Sequence, residues 1–406
     1  GSIAVIQVFE GTQGIDVDTT ALRCGGGSNP GHFPIRWMVL SNNNQRDRRV
    51  TSMTKILRYF LLTTLILGLL LATAVALAGC EDTTTTTTTA TSGTTDAKSA
   101  EVISARAAKV LSANPTSGDY IAASISGTKL AAKLADPVES KKLYLMDIRK
   151  KADYDASHIQ DAKNIEFANW AASENLETLS KLPSDTKIIV ICYTGNTAAD
   201  TTAGLRMLGY EAYALQAGMN GWAQSAATAK TVTDLQNTNY PDSTTPAIPA
   251  APAAPATTLD KPSAGDYKII ADKARAVMAA MPTSGDFALN TVMAAKLNEL
   301  LSGSSKPFVL DIRKVNTFNS GHIADAVNVE FMAVAQPDNL KLLPKDKKIV
   351  VPCYTGNTAG QTRMILQMLG YDAATLKYGM MSWDGSGKQD YLDTIQSANN
   401  PVVKTQ

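Results

Sequence analysis

The chain reads as an α/β protein built twice: two domains, each a parallel sheet with helices on both faces, joined by a Pro/Ala-rich linker. Three observations predict this. The run Cys192-Tyr193-Thr194-Gly195-Asn196-Thr197-Ala198 returns unchanged from Cys353 to Ala359. Short apolar runs alternate with helix-like segments through short connections in each half, the pattern of parallel strands joined by helical crossovers. The interval between copies is far longer than a solenoid period, so the halves are duplicated globular domains rather than an array.

The elements of the first copy follow in order. Ser99 to Ser112 places Val102, Ile103, Ala107 and Val110 on one helical face, and Asn114-Pro115 ends it. Leu143 to Met146 is a buried-strand candidate ending in Asp147-Ile148-Arg149, followed by a short helix over Ala152 to Ser157 and a strand edge over Asn164 to Phe167. Leu176 to Leu182 reads as helix, Ile188 to Ile191 as the strand before the repeated loop, Thr197 to Leu208 as the helix after it, and Glu211 to Leu215 as a last strand. The second copy repeats the landmarks: Asp311-Ile312-Arg313, His322-Ile323 for His158-Ile159, Asn328 to Phe331, and Pro282 to Asp286 for Pro115 to Asp119. A short deletion between Leu340 and Pro344, relative to Leu176 and Pro183, is expected in a surface turn. The domains are expected over 99–236 and 263–400. The linker 237–262, rich in Pro, Ala and Thr, should act as a semi-extended spacer that lets them pack loosely or move independently.

At 406 residues and 44% hydrophobic content the chain can bury two ordinary cores. A net charge of +1, with no basic run interleaved with aromatics, gives nucleic-acid binding no support. The four cysteines lack CxxC spacing and the chain has three histidines, so neither a disulfide framework nor a metal site is expected, and no cofactor is implied.

The N-terminal region carries its own signal. Met53 to Arg58 gives a basic start, Tyr59 to Leu77 is nearly all apolar, and Leu77-Ala78-Gly79-Cys80 closes the run. Residues 53–80 resemble a bacterial lipoprotein signal peptide in which Cys80 is lipidated and becomes the mature N-terminus; an uncleaved membrane helix is the alternative. Seven consecutive threonines, Thr83 to Thr89, then mark 81–98 as a flexible tether. Residues 1–52, without consistent periodicity, are expected to be a disordered upstream segment of non-native origin, with no role for Cys24 or His32. The protein is thus expected on the extracytoplasmic side of a bacterial cell envelope, anchored to the membrane by lipid.

The chemistry is expected at the repeated loops. A cysteine at the tip of a strand, in a Gly/Thr loop that opens a helix, meets converging amides and a helix N-terminus, which stabilise a thiolate and any anion it attacks. Gly195 and Gly356 permit the tight curl. Thr197 and Thr358 can cap the helix or bond to the sulfur.

Taken together, the Asp-Ile-Arg strand end, the His-Ile motif before an Asn, and the Cys-x-x-Gly-x-Thr-Ala loop resemble the rhodanese superfamily, over about a hundred residues in each half. The resemblance implies sulfur transfer: the loop cysteine takes a sulfane sulfur from thiosulfate or a persulfide, holds it as a persulfide, and passes it to a thiophilic acceptor such as cyanide, a thiol or a protein. Cys192 and Cys353 would be the nucleophiles. Tyr193, Thr194, Gly195, Asn196 and Thr197 would line the first pocket. Tyr354, Thr355, Gly356, Asn357 and Thr358 would line the second. Family members that favour thiosulfate often carry Arg or Lys in this loop, and neither copy does, so thiosulfate is expected to be a poor donor. The second copy also lacks the carboxylate that Asp200 supplies, which favours a thiolate at Cys353 as the more active site.

His158 and His322 are expected to be structural, Asp147, Arg149, Asp311 and Arg313 to fix strand ends, and Trp222 and Trp383 to pack. A phosphatase or arsenate reductase would need Arg six positions after the cysteine, where Ala198 and Ala359 stand. The rival from another class is a non-catalytic, tethered binding module for sulfur species or a partner protein. A Cys192–Cys353 disulfide would require the two loops to meet.

Overall fold

A computed structural model describes residues 91–236, 239–247, 250–252 and 259–405. The upstream segment, the signal-peptide run with Cys80, most of the threonine tether and parts of the linker lie outside the described residues. Among the described residues no helix is long and apolar enough to cross a membrane.

The first copy runs α1 (Thr91–Ser112), β1 (Ser124–Ile125), α2 (Gly127–Ala135), β2 (Leu143–Asp147), α3 (Lys151–Ala156), β3 (Lys163–Asn164), α4 (Ser173–Ser180), β4 (Lys187–Ile191), α5 (Asn196–Met207), β5 (Glu211–Leu215) and α6 (Ala226–Asp234). The second runs α7 (Ala264–Ala279), β6 (Thr291–Val292), α8 (Ala294–Ser302), β7 (Phe308–Asp311), α9 (Val315–Ser320), β8 (Val327–Asn328), α10 (Pro337–Leu340), β9 (Ile349–Val351), α11 (Asn357–Met368), β10 (Ala373–Leu376), α12 (Met380–Trp383) and α13 (Lys388–Ser397). Each copy forms a five-stranded sheet, in the orders β1-β5-β4-β2-β3 and β6-β10-β9-β7-β8. Every pairing is parallel, with β4 between β2 and β5 and β9 between β7 and β10. The central strands are continuous apolar runs because both faces are covered: Ile188, Ile189, Val190 and Ile191 are all buried.

The strand ends are held by the residues the repeat singled out. Arg149 pairs with Asp147 at 2.7 Å and donates to Ser157 O at 2.7 Å, while Asn164 Nδ2 donates to the carbonyls of Asp147 and Arg149. Arg313, Asp311, Gly321 and Asn328 repeat the arrangement. His158 stacks on Tyr154 with its Nδ1 against Tyr154 O at 2.8 Å, and His322 does the same with Phe318 at 2.9 Å. Trp222 and Trp383 are buried, and their indole N–H groups donate to Pro401 O and Pro241 O.

Three expectations change. The first helix begins at Thr91, inside the segment read as tether. The deletion in the second copy falls in a helix, not a turn: α4 spans Ser173–Ser180, whereas its counterpart α10 spans only Pro337–Leu340. The domains also do not pack loosely. Both copies lie in one compact unit and share one apolar core, and α5 lies against α11. Between these helices Asp200 and Arg363 form an ion pair, 1% and 0% exposed. Gly204 of α5 faces Trp170 so closely that an added Cβ would stand 2.3 Å from the indole. At the counterpart positions of the second copy stand Ile365 and Val334, a large helix residue opposite a smaller partner. The described parts of the linker are stitched down: Asp260 pairs with Arg106 and Lys109, each at 2.7 Å, and Ala251 exchanges two hydrogen bonds with the side chain of Asn339.

Candidate functional site

Each repeated loop leaves the carboxyl end of a central strand, β4 or β9, and feeds the N-terminus of α5 or α11. Gly195 (φ 90°) and Gly356 (φ 93°) sit at the helix entry in the left-handed region, which a side chain at either position would strain. That curl turns the amide inward. Gly195 N donates to Cys192 Sγ at 3.0 Å, and Gly356 N donates to Cys353 Sγ at 3.0 Å.

A brace missed in the sequence holds each loop from behind. Met219 N donates to Cys192 O at 2.7 Å and Asn220 N to Tyr193 O at 3.2 Å; Met380 and Met381 do the same for Cys353 and Tyr354. Gly218 (φ 55°) makes this approach possible, since a Cβ there would lie 2.4 Å from Cys192 O; for Gly379 the distance to Cys353 O would be 2.3 Å. With the loop carbonyls tied to this turn, the loop amides are left for the sulfur.

Both cysteines are buried and free of disulfide. Burial pushes the Cys192 thiol above the ordinary thiol range. The Thr197 hydroxyl and the amides of Ala198, Thr194 and Gly195 oppose that shift without cancelling it. This is the reverse of the lowered value expected for a thiol at a helix N-terminus. The lowering donors are in place, but desolvation outweighs them at 2% exposure. Asp200, read as a carboxylate near the thiol, instead faces Arg363 across the helix pair, and burial raises it to about 6.

The remaining loop residues divide between two cavities. One, of about 470 Å³, is lined by Cys192, Tyr193, Thr194, Asn196 and Thr197. The other, of about 330 Å³, is lined by Cys353, Tyr354, Thr355, Asn357 and Thr358, and also by Thr194 and Gly195 of the first copy. Gly356 is walled by Asn196 and Tyr378 and carries the amide rather than a cavity surface. The loops do approach one another, since Asn196 Nδ2 donates to Gly356 O at 3.2 Å. Tyr193 bonds Asp153 through its hydroxyl, and Tyr354 bonds Thr317 at 3.1 Å, so both rings are fixed at the mouths.

Each cavity is completed by the other copy. Leu289 (φ 54°) and Lys377 close the Cys192 cavity, and Ala122 (φ 51°) and Gln216 close the Cys353 cavity. Ala122 is held there by Gln361, whose Nε2 donates to its carbonyl at 2.7 Å. The repeated Pro-Thr-Ser-Gly-Asp runs just upstream of Ala122 and Leu289 were the sequence signal for these walls. Among the described residues no group of three or more His, Cys, Asp or Glu could hold a metal ion.

Fold and site together define an α/β protein with two loop-borne thiols at strand carboxyl ends. Residues 130–225 and 293–386 each match the family model described as Rhodanese-like domain, so the chain carries two rhodanese-like domains in tandem. "Putative sulfurtransferase YtwF" of Bacillus subtilis is 25% identical over 100 residues, which cover 25% of this chain and 95% of that protein. "Probable adenylyltransferase/sulfurtransferase MoeZ" of Mycobacterium tuberculosis is 32% identical over 108 residues, covering 26% of this chain and 27% of that protein. Among solved structures, a rhodanese-related protein from Thermoplasma volcanium is 27% identical over 29% of this chain and 98% of its own, with a TM-score of 0.22.

Proposed function

We propose that the protein is a sulfurtransferase in which Cys192 and Cys353 each carry a sulfane sulfur from a donor to a thiophilic acceptor. The observation that carries this reading is the thiol cradle, formed twice: a buried Sγ at a helix N-terminus with a glycine amide 3.0 Å away. The names of the two curated relatives agree with it.

The step balances without a cofactor. The loop thiolate attacks the outer sulfur of thiosulfate, a new S–S bond forms, the donor S–S bond breaks, and sulfite leaves with its electron pair. The persulfide's terminal sulfur then sits among the inward amides, which stabilise its negative charge. Attack by cyanide or a thiol on that outer sulfur releases thiocyanate or a new persulfide and returns the cysteine thiolate. With a persulfide donor the leaving group is a thiolate instead of sulfite. Because Cys192 rests protonated, its proton must leave before attack, and its sulfur loading should quicken as pH rises.

Intact-protein mass spectrometry after exposure to thiosulfate or to cysteine persulfide tests this reading. Gain of one sulfur per intact loop, lost copy by copy in Cys192→Ser and Cys353→Ser, is expected. A folded chain that gains none from either donor refutes it and favours a binding module. Membrane tethering through lipidated Cys80 belongs to the same proposal and rests on residues 53–80. Labelling cells with a clickable palmitate analogue should mark the wild type and not Cys80→Ser; equal labelling of both contradicts it.

A further inference from the structure

The two cavities share their loop sequence but not their charge. Lys377 follows β10 and reaches the Cys192 cavity; at the same place after β5, Gln216 reaches the Cys353 cavity. Lys230 of α6 also lines the Cys192 cavity, where α13 presents Tyr391 to Cys353. Lys230 and Lys377 share a single carboxylate, Asp234, at 2.8 and 3.2 Å, so the two ammonium groups outnumber it. The one acid in the wall, Asp286, is paired with Lys296 at 3.2 Å. Thr231 and Tyr378, whose hydroxyls bond to one another at 3.1 Å, lie on the same wall.

The Cys353 cavity has no lysine, arginine, aspartate or glutamate in its lining. It is contiguous with an apolar groove of about 770 Å³, because Ile121, Ala122, Tyr354 and Thr358 line both. Ile121 and Tyr354 are 46% and 44% exposed there, and the groove's one lysine, Lys314, is paired with its one carboxylate, Glu330, at 2.8 Å, so a carbon-bearing donor would find apolar surface and an oxyanion no surplus positive charge.

We propose that the two sites divide donors by charge: Lys230 and Lys377 make Cys192 the site for a small oxyanionic sulfur donor of the thiosulfate class, and Cys353 takes sulfur from persulfides. This rests on the sulfurtransferase reading and deepens it. It supplies from outside the loop, and in part from the other copy, the positive charge that the loop lacks. For anionic donors it reverses the sequence-based preference for Cys353.

The test is site-resolved persulfide mapping on the full chain, by peptide mass spectrometry, at early times with thiosulfate and with cysteine persulfide. In the wild type, thiosulfate should load Cys192 about tenfold faster than Cys353, and added salt should narrow the gap. The quantity read in the variants is the thiosulfate-to-persulfide loading ratio at each cysteine. Lys230→Gln with Lys377→Gln should lower that ratio at Cys192 about tenfold. Gln216→Lys, at an already polar position, should raise it at Cys353. Ratios that stay at wild-type values in both variants overturn the charge assignment while leaving sulfur transfer intact. Absence of sulfur on either cysteine with both donors overturns the assignment together with the reading beneath it.

Discussion

Replacing Arg363 with Met isolates the contact that binds the two copies most specifically. Arg363 and Asp200 are 0% and 1% exposed, and burial already raises Asp200 to about 6 despite the guanidinium beside it. The sign follows from linkage. A carboxyl raised from about 3.9 to about 6 on folding leaves stability intact below pH 4 and lowers it as pH climbs through 6, by about 3 kcal/mol in all. Without Arg363 the carboxyl should stay protonated well past pH 7. At pH 5 both forms are largely neutral there, so Arg363→Met should cost little beyond lost packing and the 2.7 Å bond to Gln367. At pH 8 the wild type recovers about two units of ionisation energy that the variant cannot, a difference of about 3 kcal/mol. The assay is urea unfolding of wild type and variant at pH 5 and pH 8. Asp200→Asn should flatten the pH dependence seen in the wild type. A penalty for Arg363→Met that is equal at both pH values would refute the argument.

Other consequences follow from the site and core. Alkylation of Cys192 by iodoacetamide, measured in Cys353→Ser, should rise about tenfold per pH unit from 7 to 8.5 without levelling off; a plateau below pH 7 would show a lowered thiol. Gly195→Ala should cost about 1–2 kcal/mol in denaturant unfolding from its left-handed backbone, and should also slow sulfur loading at Cys192, because the new Cβ meets Ala217 N at 3.0 Å. Gly204→Ile should destabilise by several kcal/mol through collision with Trp170, about 3 as an order of magnitude. Adding Trp170→Val, which copies the Ile365 and Val334 arrangement, should restore much of the thermal stability.

Much of this was legible because the chemistry sits in short, repeated, local patterns. The apolar run Lys187–Ile191, the cysteine and glycine after it, and the Asp-Ile-Arg and His motifs act through neighbours close in sequence, and they sit where their residue types imply. The contact between copies was not legible, because α5 is buried nearly all round yet carries Asp200, Thr201, Thr202 and Arg206. A helix sandwiched between its sheet and a second helix has no solvent face to set off an apolar stripe, so its pattern reads as ordinary. The edge strands β1 and β6 are two residues each, too short for periodicity to register. The cavity walls were missed for a different reason. Lys377, Gln216, Leu289 and Ala122 act on the loop of the other copy; the repeated Pro-Thr-Ser-Gly-Asp runs mark the segments that carry Ala122 and Leu289, but nothing in linear order says which loop they meet.

The most direct test of the account is transfer itself. The chain would be loaded with thiosulfate, freed of excess donor, and mixed with cyanide while thiocyanate and the mass of the protein are followed together. Thiocyanate should equal the sulfur lost from Cys192 and Cys353, with the unmodified protein regenerated and ready to load again. A persulfide that forms but never leaves, with no thiocyanate, would contradict a sulfurtransferase and leave a protein that only holds sulfur.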